Sequence, residues 1–405
     1  LNILVLTPLV PYPPHDGDKL RLYYFLKYLK SRGHKIDLFC LTRVKEDLEQ
    51  VEQLRPLCRS IYVEHITNWD LFFNLIGGVL TGGSLNVASH FSPKHRDELQ
   101  TYWASKAGQA VDVVLAHRLR MAPAAFKYNP GKPVVLDLTD SLISYTGQLK
   151  KQSGAPFLRR LAAWWDFWFL RRDEVMWSKR AVQAITIAQP DADVLTSHGL
   201  AKDKITVVPN GVDLSARVKK GKPSGYPAKG KVACFVGNMG YAPNEEGALW
   251  FIRSVWPRVK KAVPDAVFMA VGGTPRKVLW EYHNGTDVLV TGWVPQVEPY
   301  LIGASVSIAP LRFAGGMQNK VALSMGLGVP VVATSAATGW LPDAGKSLVR
   351  VADDADAFAA KIVEVLQNPK RARTQAVKGK KFVVKNYPWK TAGQKLEKVL
   401  KQAIH

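Results

Sequence analysis

Twice along this chain, short β-rich apolar runs alternate with amphipathic stretches, and no other feature restricts its fold as strongly. The first series is Ile3–Leu6, Ile36–Leu41, Val111–Ala116, Val134–Asp137 and Ala181–Ile187. The second is Val232–Val236, Ala266–Val271, Val288–Thr291, Ser305–Ala309 and Val329–Ala333. Short continuous apolar runs read as strands buried on both faces, the signature of parallel sheets. Helix patterns lie between them, such as Lys19–Ser31 with the C-capping Gly33 just beyond. The repetition predicts an α/β fold of two doubly wound, Rossmann-like domains, with the carboxyl ends of their strands facing a central cleft.

The length agrees, because 405 residues suit two domains of about 200 each better than one core. Asp213–Gly230 is rich in Lys, Gly, Pro and Ser and reads as a linker. The expected division is a first Rossmann-like domain at 1–210, a linker at 211–230 and a second Rossmann-like domain at 231–388. A charged helix at 389–405, with apolar Leu396, Val399 and Leu400, is expected to cross back to the first domain.

At 47% hydrophobic and 22% charged residues the chain is a folded protein, not a disordered one. No apolar run reaches the ~20 residues of a membrane span; the longest, Leu71–Leu80, is interrupted by Asn74, Gly77 and Gly78. The opening LNILVLTPLV lacks a basic leader region and reads as a buried strand. Cys40, Cys58 and Cys234 are odd in number and widely spaced, which argues against a disulfide framework or zinc site and for a reducing cytoplasm. The abnormal quantity is charge: 55 Lys and Arg against 33 acids give +22. Such a balance implies an anionic partner, although excess lysine also serves solubility.

Two loops carry the expected chemistry. The first strand ends at Thr7-Pro8 and leads through PYPPHDGDKLR into the helix Lys19–Ser31, so Gly17 lies where backbone N–H groups and a helix N-terminus point to a ligand. In IAPLRFAGGMQNKVALSMGLGVPVVAT, a strand ending at Pro310 is followed by Arg312, a Gly315-Gly316 turn and a helix from near Gln318. The amides of Met317, Gln318, Asn319 and Lys320 and the helix dipole can hold a pyrophosphate, with Arg312 and Lys320 as fixed cations. Gly237-Asn238 repeats the strand–glycine turn. No Walker motif is present.

Together with RGHKIDL, VLAHRLRMAP, VLDLTDS, VVPNGVD, CFVGNMGYAPN and VTGWVPQVEPYL, these segments make the chain resemble the retaining glycosyltransferases of family 4 over nearly its whole length. The surface-polysaccharide subgroup is the nearest match. The resemblance implies a GT-B fold, transfer from a nucleoside diphosphate sugar (UDP- or GDP-linked) to a lipid-linked or glycan hydroxyl, and no cofactor or metal. It implies a donor-sugar contact at His117, with Arg118, Asp140 and Ser141 on the acceptor side. Gly17, Gly237 and Asn238 would face phosphates, Val294 and Pro295 the base, and Gly315 to Lys320 the diphosphate. The family usually reads lysine–valine–leucine–glutamate–alanine after this loop, and the glutamate holds the ribose. Here Val321 is kept but Leu323 stands at the glutamate's place, and Gly315 replaces the acid eight residues earlier. A catalytically silent GT-B scaffold or regulatory partner is therefore the rival expectation.

Three D-x-D triplets, beginning at Asp16, Asp191 and Asp354, could in principle ligate Mg²⁺. The latter two sit at expected helix starts, where Asp is an ordinary cap. In FLRRLAAWWDFWFLRRDEVMWSKR, one face (Leu161, Trp165, Trp168, Val175) is assigned to core, leaving Trp164 and Phe167 beside Arg171 and Arg172. Tryptophan with arginine suits contact with an anionic membrane; a core-plus-dimer helix is the alternative. No nucleic-acid recognition motif accompanies these aromatics. The expected location is cytoplasmic, peripheral on the inner face of the membrane.

Overall fold

The computed structural model describes residues 1–144, 157–214, 223, 225–227 and 229–404, with side chains omitted for 157–163. The chain divides into two compact units, Leu1–Asn210 with Trp389–His405, and Gly211–Pro388. Half of the expected linker 211–230 lies outside the described residues. Its first part belongs with the second unit, where the Val212 amide donates to the Tyr387 carbonyl at 2.8 Å.

The first unit holds a seven-stranded, wholly parallel sheet in the order β3-β2-β1-β4-β5-β6-β7. The strands are β1 (Asn2–Thr7), β2 (Lys35–Thr42), β3 (Ser60–His65), β4 (Val113–His117), β5 (Val134–Thr139), β6 (Gln183–Thr186) and β7 (Ile205–Val207). Alternation along β1 feeds two cores: Leu4 and Leu6 pack on one face, Ile3 and Val5 on the other. Both faces are covered, hence the unbroken apolar runs. β3 and β7 escape the sequence reading because edge strands bury less: Ile61, Tyr62 and Val63 are only partly covered or exposed.

The helix Gly17–Ser31 buries Leu22, Phe25, Leu26 and Leu29 against β1 and β2. Leu396 and Leu400 of the helix Trp389–Gln402 complete that core. Glu397 fastens the two helices by accepting from the Tyr28 hydroxyl at 3.0 Å, and Lys401 of its own helix donates to it at 2.7 Å.

The second unit repeats the pattern with six parallel strands in the order β10-β9-β8-β11-β12-β13. These are β8 (Lys231–Val236), β9 (Ala266–Val271), β10 (Val288–Val290), β11 (Val306–Ala309), β12 (Val331–Ala333) and β13 (Arg350–Val351). In each sheet the strand order reverses at the first strand, the position where doubly wound folds bind ligands.

The aromatic helix Phe157–Arg180 corrects one assignment. Leu170, Asp173, Glu174 and Trp177 are buried, whereas Trp168 is 50% exposed beside Trp164 at 51%. Positions 168 and 177 differ by nine residues, half a revolution at about 100° each, so Trp177 turns Trp168 outward. Phe167, expected outside, is half-buried. Leu161 lies outside the described side chains.

Candidate active site

In the first unit, the expected residues meet at the carboxyl ends of β4 and β5. His117, the last residue of β4, is fully buried, and its Nδ1 lies 3.1 Å from Asp137 Oδ2. Asp137 is gripped in turn by Arg21, whose Nε and Nη2 each donate to a different carboxylate oxygen at 2.9 Å. Arg21 Nη1 also donates to the Val208 carbonyl at 2.7 Å and to Asn210 Oδ1 at 3.0 Å. Burial opposes ionisation of Asp137, but Arg21 and His117 outweigh it and hold the carboxyl well below the usual range. The imidazole is thereby fixed with Nε2 buried and without a hydrogen-bond partner. Orphaned polar atoms in a tight interior are costly and mark places built for a ligand.

Two further orphans adjoin it, Arg118 Nε and Thr139 Oγ1. Arg118 and Thr139 also carry the left-handed backbone angles φ 69° and 68°, which non-glycine residues seldom adopt. Arg118 pairs with Asp18 at 2.5 Å and with Asp140. Desolvation disfavours its charge, yet these two acids raise its pKa above the ordinary arginine value. Asp18 follows Gly17, the first residue of its helix, whose cap is Asp16 accepting from the Lys19 amide. Ser141 is buried: its amide donates to Asp191 Oδ1 at 3.1 Å and its hydroxyl to Glu174 at 3.2 Å. Glu174 also accepts the Leu142 and Ile143 amides, and burial pushes its carboxyl up to about 8.

In the second unit, Lys320 lies in the first turn of the helix Asn319–Leu327. Its ammonium donates to Asn244 Oδ1 at 3.0 Å and to Gln318 Oε1 at 3.3 Å, and lies 5.8 Å from the centre of the Phe235 ring. All three neighbours are neutral, and desolvation lowers the lysine to about 8. Asn244 is held by donating from Nδ2 to the Asn238 carbonyl at 2.8 Å. The turn after β8 permits this only with glycine: a Cβ on Gly237 would stand 2.8 Å from Asn244 Nδ2. Gly316 has φ 62°, and the Gly315 carbonyl accepts from Gln318 Nε2 at 2.8 Å. Gln318 caps the helix without a side-chain bond to its amides.

Arg312 is exposed, its guanidinium 5.3 Å over the Trp250 ring. Met317 and Val321 are buried. Val294 and Leu323 are half-buried and pack on one apolar cluster that includes Tyr300 and Leu301, while Pro295 is exposed. Asn244 and Arg21 were not singled out from sequence, although both stand in quoted motifs. An arginine among Leu22, Phe25 and Leu26 on the inward face of an amphipathic helix was the available signal for Arg21.

Residues 19–216 match the Glycosyltransferase Family 4 and residues 230–368 match Glycosyl transferases group 1. The chain belongs to the family 4 glycosyltransferases. It is 22% identical to an uncharacterized 44.6 kDa protein in the cps region of Klebsiella pneumoniae, over 95% of this chain and 96% of that one. Among solved structures it is similar to the sucrose-phosphate synthase of Thermosynechococcus elongatus (TM-score 0.72, 16% identity, 99% of each chain). It is likewise similar to HepE of Anabaena in complex with UDP (TM-score 0.70, 16% identity, 99% of this chain and 100% of that one). The fold of this glycosyltransferase is GT-B.

Proposed function

We propose that this glycosyltransferase moves a sugar, with retention of anomeric configuration, from a UDP- or GDP-linked donor to a lipid-linked or glycan hydroxyl in surface-polysaccharide assembly. The observation that carries the donor assignment is Lys320: a desolvated ammonium at a helix start, held by two neutral side-chain oxygens, is poised to accept an anionic partner. A diphosphate supplies that charge. The UDP and UDP-glucose complexes of HepE support the same class of ligand. The Klebsiella protein from a cps region supports the polysaccharide role.

In this reading the bond from the sugar anomeric carbon to the diphosphate breaks as the acceptor oxygen attacks from the same face. The departing phosphate oxygen takes the acceptor's proton. Lys320 and the amides after Gly316 stabilise charge developing on the diphosphate, and Arg312 adds a second cation there. His117, oriented by Asp137, holds a donor-sugar hydroxyl through Nε2. No metal is needed. Arg118, Asp140 and Ser141 border the acceptor. The enzyme works on the cytoplasmic face of the membrane, contacted by the exposed Trp164 and Trp168 with Arg171 and Arg172.

Thermal melting with UDP, GDP and ADP tests the donor site. Ligand at a hundred times its Kd stabilises the fold by about 2.7 kcal/mol, so one nucleotide should raise the melting temperature. No response to any would leave the silent-scaffold reading in its place.

A further inference from the structure

The helix Asn68–Leu80 presents an apolar stripe to solvent instead of to the core. Trp69, Phe72, Phe73, Ile76 and Leu80 follow the i, i+3, i+4 spacing of one helix face, and their exposures run from 42% at Ile76 to 81% at Leu80. The ring centres of Trp69, Phe72 and Phe73 lie 5.6–6.4 Å apart, a continuous aromatic surface. The opposite face is already used. Gly78 is buried so tightly that a Cβ there would lie 2.7 Å from Ala88 Cβ, and Asn74 Nδ2 donates to the Phe91 carbonyl at 2.6 Å. The stripe therefore cannot turn inward without losing this seat.

The turn leaving the helix is held by the aromatic helix Phe157–Arg180. Trp165 Nε1 donates to the Gly83 carbonyl at 3.2 Å and Arg172 to the Gly82 carbonyl at 2.6 Å. Asp166 accepts from the Ser84 hydroxyl and the Leu85 amide. The exposed Trp164 and Trp168 stand on that same supporting helix.

We infer that the helix Asn68–Leu80 is the docking element for an anionic lipid bilayer, lying in the plane of the surface with its stripe in the acyl boundary. The inference rests on the membrane-associated reading above and names the residues that enter the lipid. Charge selects the occupant. The helix carries one acid, Asp70, locked in a capping box with Thr67, and no base. Arg172 adjoins its far end, with Arg171 beside it, and Lys94 follows the exposed Phe91. A chain of net charge +22 is drawn to anionic headgroups and repels a second copy of itself. At about 1.5 Å per residue, a helix this short covers some 20 Å and cannot span the ~30 Å hydrocarbon core. Aromatic side chains on one face suit the interface instead.

Co-sedimentation of the full chain with phosphatidylcholine vesicles, with and without phosphatidylglycerol, tests this. The wild type should bind, more strongly when phosphatidylglycerol is present. The triple variant Trp69→Ser, Phe72→Ser, Phe73→Ser should lose binding by at least about tenfold, at unchanged melting temperature and unchanged UDP response. If the wild type binds and the triple variant binds equally, while Trp164→Ser with Trp168→Ser does not, the membrane reading stands and this helix is not the docking element. If the wild type ignores all vesicles, both readings fall. Sedimentation velocity distinguishes the remaining occupant: a wild-type dimer that the triple variant dissociates, without vesicle binding, would make the stripe an interface between copies and overturn the inference.

Discussion

Arg21 and Asp137, 116 positions apart in sequence, form a two-toothed ion pair with both nitrogen–oxygen distances at 2.9 Å and both side chains excluded from solvent. The pair joins the first helix to β5 and fixes the carboxylate that orients His117. Breaking a buried pair by removing one partner strands the other charge, at about 3–5 kcal/mol. Asp137→Ala should cost that much in urea unfolding at neutral pH. Since the folded pKa of Asp137 lies below its unfolded value, its contribution is present at neutral pH and lost as pH falls below about 4. The wild-type and variant stabilities should therefore converge in acid. An acid-independent difference would remove the charge from this account.

His117 offers a different split. With Nε2 free and Nδ1 committed to Asp137, the imidazole has one atom left for substrate. His117→Ala should lower kcat/KM by about 10²-fold or more, as losing one preorganised transition-state contact does, while UDP binding changes little. A loss confined to KM would place His117 in ground-state binding alone.

Lys320 predicts a pH profile. Its ammonium loses a proton near pH 8, so affinity for UDP should fall as pH rises through about 8, and Lys320→Ala should flatten the curve and weaken binding by about 10- to 100-fold. Stability of the ligand-free protein should move the opposite way. The unfolded lysine, with its ordinary value of 10.5, keeps its proton between about 8 and 10.5, so stability should rise with pH across that window. Calorimetric titration and melting curves over that range check both signs.

The three D-x-D triplets are engaged within the protein. Asp16 caps a helix, Asp18 pairs with Arg118, Asp191 receives the Ser141 amide, Asp193 binds Gln189, Asp354 caps the next helix and Asp356 pairs with Arg258. A chelator should accordingly leave turnover unchanged within twofold or so, because the proposed mechanism gives the cationic work to Lys320 and Arg312. Activity abolished by chelation and restored by Mg²⁺ would contradict this.

Much of the fold was legible because buried parallel strands announce themselves as apolar runs, while Gly316 is demanded by its left-handed backbone and Gly237 by the close approach of the Asn244 side chain. Contacts between distant residues were not. Nothing local tells that Arg21 reaches Asp137, or that Asn244 turns its amide between Asn238 and Lys320. The stripe of Asn68–Leu80 was visible as an apolar run, and weighing it only as a membrane span concealed its helical spacing. Trp168 and Phe167 exchanged places because the inward face of their helix is set by Asp173 and Glu174, whose buried partners lie elsewhere in the chain.

Leu323 separates a weakened donor site from a retired one. It is half-buried, one turn beyond Lys320, and packs on the same apolar cluster as Val294. A leucine offers no acceptor to ribose hydroxyls, whereas the glutamate common in the family does. One or two charge-assisted hydrogen bonds are worth about 1.5–3 kcal/mol, or roughly 10- to 100-fold in affinity. Leu323→Glu should therefore tighten UDP binding by up to that factor. It should also lower the melting temperature, because a carboxylate replaces a side chain that packs on the apolar cluster to which Tyr300 and Leu301 belong. The two effects are separable: Leu323→Gln carries the same loss of packing with a weaker acceptor, so it should melt like the glutamate variant but bind less tightly. Calorimetric titration with UDP and GDP beside melting curves for all three proteins decides the matter. Binding in the order Glu, Gln, Leu would establish a working ribose site whose acceptor this chain has given up. A lowered melting temperature in both variants with no nucleotide bound by any of the three would assign Leu323 to the core and leave the chain a scaffold.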